Sequence, residues 1–505
     1  MNSRIAMGQH LVTGFEGPAM TPEFIEQVRE WKIGNVILFE NNVVNCEQLR
    51  KLCADITRLI TEETGIPPFI TIDQEGGAVS RLKEDAAIFP GAMAVAAAGK
   101  PENARIAGRI TGLELRSLGV NFDYAPVADV NNNPRNPVIG VRSYGDDPEK
   151  AAEYVIEMMR GLTEGGVLSS LKHFPGHGDT AVDSHLGLPK VDKSLEELEK
   201  CELLPFRRAI EAGAPAVMTA HILYPQLEPD DIPATMSRRI ITGLLREKLG
   251  FDGLVVSDSM MMAAIAKYYG RLEGTLAAVR AGVDLVIVSH DAVLTGKAVA
   301  MLEQTVADDP EVKASTERIL DFKRRMPAPI PTEVGCAAHR NASRSITENA
   351  VTLVHDAPFA LGDSPMFLGC YRFRPTLVSS PEDSSLSFAH ELQKLLGGRA
   401  LATPQNPARE EIDRILEACE GASSVTIGTY NGLLRPGQME LVRGAAELGL
   451  PCCCVALRNP YDLACLPDNV RTIAAYDYDV RTLPVIAEIL SGRREARGRL
   501  PVKLN

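Results

Sequence analysis

The chain has 505 residues, 45% hydrophobic and 24% charged, with a formal net charge of −13 and an isoelectric point near 5.3. That length predicts two or three domains, and that composition a globular protein with a full core. The acidic balance argues against nucleic-acid or anionic-membrane partners, which select a basic face, and points to a small neutral or polar ligand.

The N-terminal stretch MNSRIAMGQHLVTGFEG has no apolar core or cleavage site of a secretory signal. No run reaches the roughly 20 apolar residues of a membrane span, so a cytoplasmic location is expected. Short apolar runs at 11–15, 35–39, 69–73, 121–130 (in part), 170–174, 216–221, 253–257 and 284–289 predict eight strands. Amphipathic segments at 21–31, 45–64, 103–118, 148–164, 195–212, 239–249 and 272–281 predict the helices between them. This alternation predicts an α/β fold, a (β/α)8 TIM-type barrel over residues 1–325, with an open doubly wound sheet as the alternative. Ionisable groups follow many of these runs: Asp73-Gln74-Glu75-Gly76-Gly77, Lys172-His173, His221, Asp258 and His290. In a barrel they occupy the C-terminal rim, where active sites lie.

The proline-rich stretch 326–332 reads as a stiff linker and 337–349 as a helix, so 326–348 is the expected connection between domains. Strand-like runs at 350–354, 366–369, 424–429, 452–457 and 471–475 alternate with helical segments at 388–396, 408–417, 438–448 and 482–490. Residues 349–505 are therefore expected to form a smaller three-layer α/β sandwich domain, with no ionisable cluster comparable to that of the barrel. The ten cysteines are scattered except for Cys452-Cys453-Cys454. Successive residues of a strand face opposite ways, so these three read as small buried hydrophobes in a reducing compartment.

The richest segment is Lys172-His173-Phe174-Pro175-Gly176-His177-Gly178-Asp179-Thr180, followed by Asp183-Ser184-His185; it holds three of the nine histidines. A carboxylate two residues from a histidine fixes its tautomer and raises its basicity, leaving the second nitrogen free to move a proton. Asp183 and His185 form such a pair, against the blander reading of a solvated loop. Asp258, directly after the apolar run 254–256, is a candidate nucleophile at the barrel mouth; the competing reading is a cap for a helix at 260–266, with Ser257 or Ser259 sharing that role. Asp73, Arg81, Arg142, Lys172 and His173 are candidates for holding sugar hydroxyls or an acetamide oxygen, against the alternative of rim ion pairs. Glu75, His221 and Asp284 read as buried hydrogen-bonding groups. No P-loop or strand-linked GxGxxG suggests a nucleotide, and the irregular spacing of His173, His177 and His185 argues against a metal, so no cofactor is expected.

Together these residues resemble the β-N-acetylglucosaminidases of glycoside hydrolase family 3, in the two-domain form. The marks are Asp73-Gln74-Glu75-Gly76-Gly77 with Arg81, Ala125-Pro126-Val127-Ala128-Asp129, Ile139-Gly140 with Arg142-Ser143, the KHFPGHGDT…DSH stretch and Gly253-Leu254-Val255-Val256-Ser257-Asp258. Arg458-Asn459-Pro460-Tyr461-Asp462 and Leu500-Pro501-Val502 extend the resemblance into the second domain. Ala78 and Ser259 depart from it, where the family often has Arg and Asp. The resemblance implies a retaining hydrolase acting on terminal β-linked GlcNAc. Asp258 would be the nucleophile, His185 the general acid/base and Asp183 its partner, with Asp73, Arg81, Arg142, Lys172 and His173 holding the sugar.

Most retaining glycosidases use two carboxyl groups about 5–5.5 Å apart. A neutral imidazole in place of one would not repel an anionic nucleophile or substrate, and its reference pKa near 6.5 suits both proton steps. The same property keeps open a phosphorylase that releases GlcNAc 1-phosphate; an inactive sugar-binding protein is the alternative from another class. The substrate expected from the resemblance is a GlcNAc–MurNAc or GlcNAc–anhydroMurNAc fragment of the cell wall, in a recycling role. The oligomeric state and the aglycone are not legible in the sequence.

Overall fold

The computed structural model describes residues 1–180, 187–376, 379–380 and 383–504. Eight short parallel strands form the barrel: β1 (Leu11–Thr13), β2 (Asn35–Leu38), β3 (Phe69–Ile72), β4 (Phe122–Asp123), β5 (Leu168–Phe174), β6 (Ala216–Thr219), β7 (Leu254–Val256) and β8 (Val286–Val288). They are ordered β7-β6-β5-β4-β3-β2-β1-β8. The ring closes through a parallel bridge between Val256 and Leu285, and Ile287 N donates to Ser257 Oγ at 2.9 Å. All eight expected strands are present, so the fold is the barrel and not the open sheet.

Side chains alternate strictly along these strands. Val12, Ile37, Phe69, Phe122, Tyr124, Met218, Leu254, Val256 and Ile287 pack together, and the opposite parity packs with the surrounding helices. Continuing that inward parity past the strand ends brings Asp73, Lys172 and Asp258 to one cavity. The other end of the barrel is closed by structural polar contacts. Lys323 Nζ donates to Gln9 Oε1 at 2.7 Å and to Gly34 O at 3.1 Å. Asp284 accepts from Arg246, Arg318 and Ser315 side chains and from Val255 N. Asp284 is thus the buried hydrogen-bonding group that its sequence context suggests.

Local signals explain most helix limits. Helix Cys46–Thr64 starts at Asn45, whose side chain accepts from Gln48 N, and stops at Gly65 in the left-handed region. The segment expected as one helix over 195–212 is two, Leu195–Lys200 and Leu203–Glu211. Pro205 has no N–H to give to the carbonyl of Cys201, so it is tolerated only in the first turn of a new helix. Helix Ala292–Thr305 escaped the periodicity argument because its apolar residues are spread around it.

In the second domain a six-stranded sheet is ordered β13-β10-β14-β15-β16-β9. Its strands are β9 (Thr352–His355), β10 (Pro365–Gly369), β13 (Arg399–Ala402), β14 (Ser424–Thr429), β15 (Cys452–Ala456) and β16 (Val470–Ala474), with β9 alone antiparallel. A separate hairpin joins β11 (Tyr371–Arg372) and β12 (Asp383–Ser387). The half-buried edge strand β13 and this hairpin were not expected from the sequence, because neither has a buried apolar run. Cys452 and Cys454 pack in the core on one face of the sheet and Cys453 in the core on the other, all three as free thiols. Burial pushes the Cys452 thiol up to about 12, so it behaves as a hydrophobe. No helix among the described residues is long and apolar enough to cross a membrane.

The barrel helices Pro101–Leu118 and Pro148–Glu164 pack backbone to backbone. A Cβ on Gly161 would stand 2.7 Å from Arg109 N and also overlap Arg105 O. Nothing there is a flexible side chain that could yield. Gly161→Ala is expected to force the two helices apart and cost about 1–3 kcal/mol. Urea unfolding of the full chain checks this, and an unchanged midpoint would refute the close-packing account.

Candidate active site

A cavity of about 650 Å³ opens at the C-terminal ends of the barrel strands. Asp73, Arg81, Arg142, Lys172, His173 and Asp258, spaced over nearly two hundred residues of sequence, all line it. Asp183 and His185, in the segment 181–186, lie outside the described residues.

At one side of the cavity two cations and two carboxylates interlock. Lys172 Nζ lies 2.7 Å from Asp73 Oδ1 and 2.7 Å from Glu75 Oε1. Arg142 forks onto Glu75, Nε to Oε2 at 2.8 Å and Nη2 to Oε1 at 2.7 Å. The side chains of Lys172, Arg142 and Glu75 are 2%, 3% and 6% exposed, so these charges interact with little solvent screening. Burial alone would raise the Glu75 pKa, but Arg142 and Lys172 outweigh it and hold the carboxyl far below its usual range. Burial likewise disfavours the Lys172 ammonium, and Asp73 and Glu75 more than offset that. Glu75 is therefore the buried partner that sequence reading assigned it, and its partners are the sugar-binding candidates themselves.

Arg81 is held differently. The residues after β3 form a tight bridge between Gly76 and Val79. Gln74 Oε1 accepts from Arg81 N at 2.8 Å and Leu82 N at 3.1 Å, which fixes the backbone that carries the guanidinium.

Lys172 and His173 both face the cavity, across a cis peptide bond. Asp129 organises the histidines. Its Oδ2 lies 2.7 Å from His173 Nδ1, and its Oδ1 accepts from His177 N at 2.6 Å. That contact orients His173 with Nε2 away from Asp129. His177 Nδ1 is 2.8 Å from Thr180 Oγ1, and its ring meets the His173 ring edge-on. Burial, reinforced by His173, lowers the His177 pKa to about 4, so this imidazole is neutral at pH 7. Burial disfavours the Asp129 carboxylate, but His173 and the hydrogen bond from the His177 backbone N–H outweigh it and hold its pKa below the usual value. Asp129 was not among the sequence candidates, although the Ala125-Pro126-Val127-Ala128-Asp129 motif contains it. Among the described residues no group of three or more His, Cys, Asp and Glu side chains is arranged to hold a metal.

Asp258 is half-buried at the end of β7, and its Oδ1 accepts from Ser259 N at 2.7 Å. The expected capping role fails. The next helix is Ala263–Tyr268, its N-cap position is Met262, and no side chain caps it. Ser257 Oγ serves β8, and Ser259 Oγ binds Ser289 Oγ and accepts from Met261 N. Asp258 lines the cavity. His221 bridges Thr235 Oγ1 and Ser259 O, a buried support for this strand end as expected.

The lining also includes the largely apolar side chains Tyr124, Met218, Met261, Met262 and Phe39, whose ring lies 4.3 Å from that of His290. The second domain also reaches the site, which sequence reasoning left undecided. Arg374 and Ser379 line the cavity, and Tyr461 OH accepts from Asn131 Nδ2 at 2.8 Å beneath the loop that carries Arg142. The second domain also holds a group of ionisable side chains of its own. Asp477, Asp479, Arg372, Arg458 and Arg481 interact near the C-terminal edge of its sheet, and burial with the Asp479 charge raises Asp477 to about 6. Asp477, Asp479 and Arg481 share one stretch after β16, and Arg372 and Arg458 join them from other strand ends.

Residues 6–322 match the glycosyl hydrolase family 3 N-terminal domain. The β-hexosaminidase A of Pseudoalteromonas piscicida is 30% identical over 96% of this chain and 92% of its own length. A β-hexosaminidase of Pseudomonas aeruginosa is 34% identical over 59% of this chain and 88% of its own. A solved family 3 β-N-acetylglucosaminidase from Paenibacillus superposes with a TM-score of 0.93 at 36% identity, covering 100% of this chain and 99% of that one. With the family model matching residues 6–322 and these relatives matching nearly the whole chain, the chain belongs to glycosyl hydrolase family 3 and is a glycosidase.

Proposed function

We propose that this glycosidase is a retaining exo-β-N-acetylglucosaminidase that removes terminal β-linked GlcNAc from GlcNAc–MurNAc fragments of peptidoglycan, acting in the cytoplasm. The observation that carries the reading is the convergence of the Asp258 carboxylate and the Asp73–Lys172–Glu75–Arg142 cluster on one cavity. The names of the relatives supply the sugar. The division into a barrel (1–325), a connection (326–348) and a second domain (349–505) belongs to the same proposal.

In this reading Asp73, Arg81, Arg142, Lys172 and His173 grip the GlcNAc unit. Lys172 and Arg142 are already oriented by Glu75, and His173 by Asp129, so little side-chain entropy is lost when a hydroxyl or amide oxygen arrives. Asp258 attacks the anomeric carbon as the glycosidic bond breaks, and His185 gives its proton to the leaving oxygen. The covalent glycosyl-Asp258 ester is then cleaved by a water that His185 deprotonates, returning GlcNAc with its β configuration. Asp183 holds the imidazole in the tautomer that both steps need.

Asp258→Ala is expected to be inactive on both GlcNAc–MurNAc and chitobiose. His185→Ala should lose about 10²–10⁴-fold on these substrates but much less on an activated aryl β-GlcNAc, whose leaving group needs no proton. Steady-state kinetics on the three substrates decide the matter, and equal losses for His185→Ala on all of them would remove the acid/base role. Glu75→Gln keeps shape but leaves Lys172 and Arg142 short of one buried negative charge. It should cost about 3–5 kcal/mol in chemical unfolding and lower kcat/KM about 100-fold. A variant within about three-fold of wild-type kcat/KM would show that the cluster does not orient the sugar.

A further inference from the structure

Two motifs of the second domain, Arg458-Asn459-Pro460-Tyr461-Asp462 and Leu500-Pro501-Val502, meet one and the same barrel loop, the stretch 131–146 that carries Arg142. That stretch lies between β4 and the helix Pro148–Glu164, and its regular structure is the single turn Gly140–Arg142. A connection of this length takes its shape from side-chain contacts, since it has no backbone ladder to hold it.

Asn131 is the hub of those contacts. Its Oδ1 accepts from Gly140 N at 3.1 Å and its backbone N donates to Gly145 O at 2.9 Å, so it spans both sides of Arg142. Gly140 N must meet an oxygen, which turns the amide Nδ2 of Asn131 towards the second domain. There Tyr461 OH accepts from it at 2.8 Å and donates to Asn131 O at 3.4 Å. Asn131 and Tyr461 are 1% and 3% exposed, so an unmade bond here would not be replaced by bulk water. Asn459 packs on the same turn: Gly140 lies in the left-handed region, and a Cβ there would stand 2.4 Å from Asn459 Oδ1. At the far end of the loop a Cβ on Gly145 would stand 2.4 Å from Pro501 O, and Lys503 N donates to Asp146 Oδ2 at 2.7 Å. The gripping surface is itself fixed. Asp462 accepts from Gly432 N and Leu433 N, both at 2.8 Å, and Asn459 Nδ2 donates to Asn431 Oδ1 at 3.2 Å.

The barrel holds the loop elsewhere, through Asn136 Nδ2 to His177 O at 2.8 Å and Ser143 Oγ to Asp129 O at 2.6 Å. Along the chain, contacts to the second domain at Asn131, Gly140 and Asp146 therefore alternate with contacts to the barrel at Asn136 and Ser143. The residue that needs this precision is Arg142, whose side chain is 3% exposed and forks onto Glu75 through two bonds. A two-bond fork tolerates little displacement of the backbone that carries it.

We propose that the second domain holds Arg142 in its sugar-binding pose, with Tyr461 and Asn131 as positioning residues that act through that guanidinium. The inference rests on the reading of Arg142 as a GlcNAc ligand, and it gives the second domain a part in binding the sugar through a residue of the barrel.

The test is steady-state kinetics of the full chain on an aryl β-GlcNAc. Tyr461→Phe keeps the buried ring and removes the acceptor of Asn131 Nδ2. It is expected to raise KM about five- to ten-fold and to leave kcat within about two-fold of wild type. KM does not depend on the fraction of folded enzyme, so a loss of stability alone cannot produce that split. Asp146→Ala, which releases the C-terminal segment from the other end of the loop, should raise KM in the same way. In an Arg142→Lys background, where the fork is already gone, adding Tyr461→Phe should change kcat/KM by less than about two-fold. An unchanged KM in Tyr461→Phe would overturn the proposal. So would a loss of undiminished size in the Arg142→Lys background, which would show the hydroxyl acting independently of Arg142. Failure of the wild type to release GlcNAc from the aryl substrate is the separate result that would sink the underlying function.

Discussion

The site depends on how two buried cations are paired. Lys172 and Arg142 sit at the mouth of the barrel almost without solvent, and neither could remain charged there alone. Glu75 contacts both, and Asp73 completes the balance for Lys172. Because an arginine fork and a lysine point charge share one carboxylate, moving any member disturbs the others. The arrangement gives the cavity a fixed set of donors and acceptors, which is the requirement for gripping a polyhydroxylated ring in a single orientation.

Around this cluster each strand end is locked by a neighbour. Asp129 holds the two histidines after β5, Gln74 holds the backbone at Arg81, and the Ser257 and Ser259 hydroxyls tie the end of β7 to β8 and Ser289. The barrel therefore divides its polar groups by end. At its N-terminal end Lys323 and Asp284 are satisfied by fixed partners and close the core. At its C-terminal end the polar groups face an open volume. The second domain is part of this construction, since Tyr461 supports the loop of Arg142 and Ser380 is bonded to the residues before Arg81.

By itself the sequence determined the eight strands of the barrel, because short apolar runs bounded by turns and separated by amphipathic helices have few other solutions. It also determined which strand ends bring polar groups to the cavity, since Asp73, Lys172, His173 and Asp258 each stand at the end of a buried run, and strand parity then decides that the first, second and last face inward. Only the tertiary structure decided the partnerships. Glu75 with Arg142, Asp129 with His177 and Arg374 with the cavity join residues far apart in the chain, and nothing local to either partner encodes the other. The edge strand β13 and the loss of the capping role at Asp258 were likewise settled by packing. Burial patterns are written in local periodicity, whereas the pairing of polar groups is set by which strand ends the closed barrel and its second domain bring within hydrogen-bonding distance.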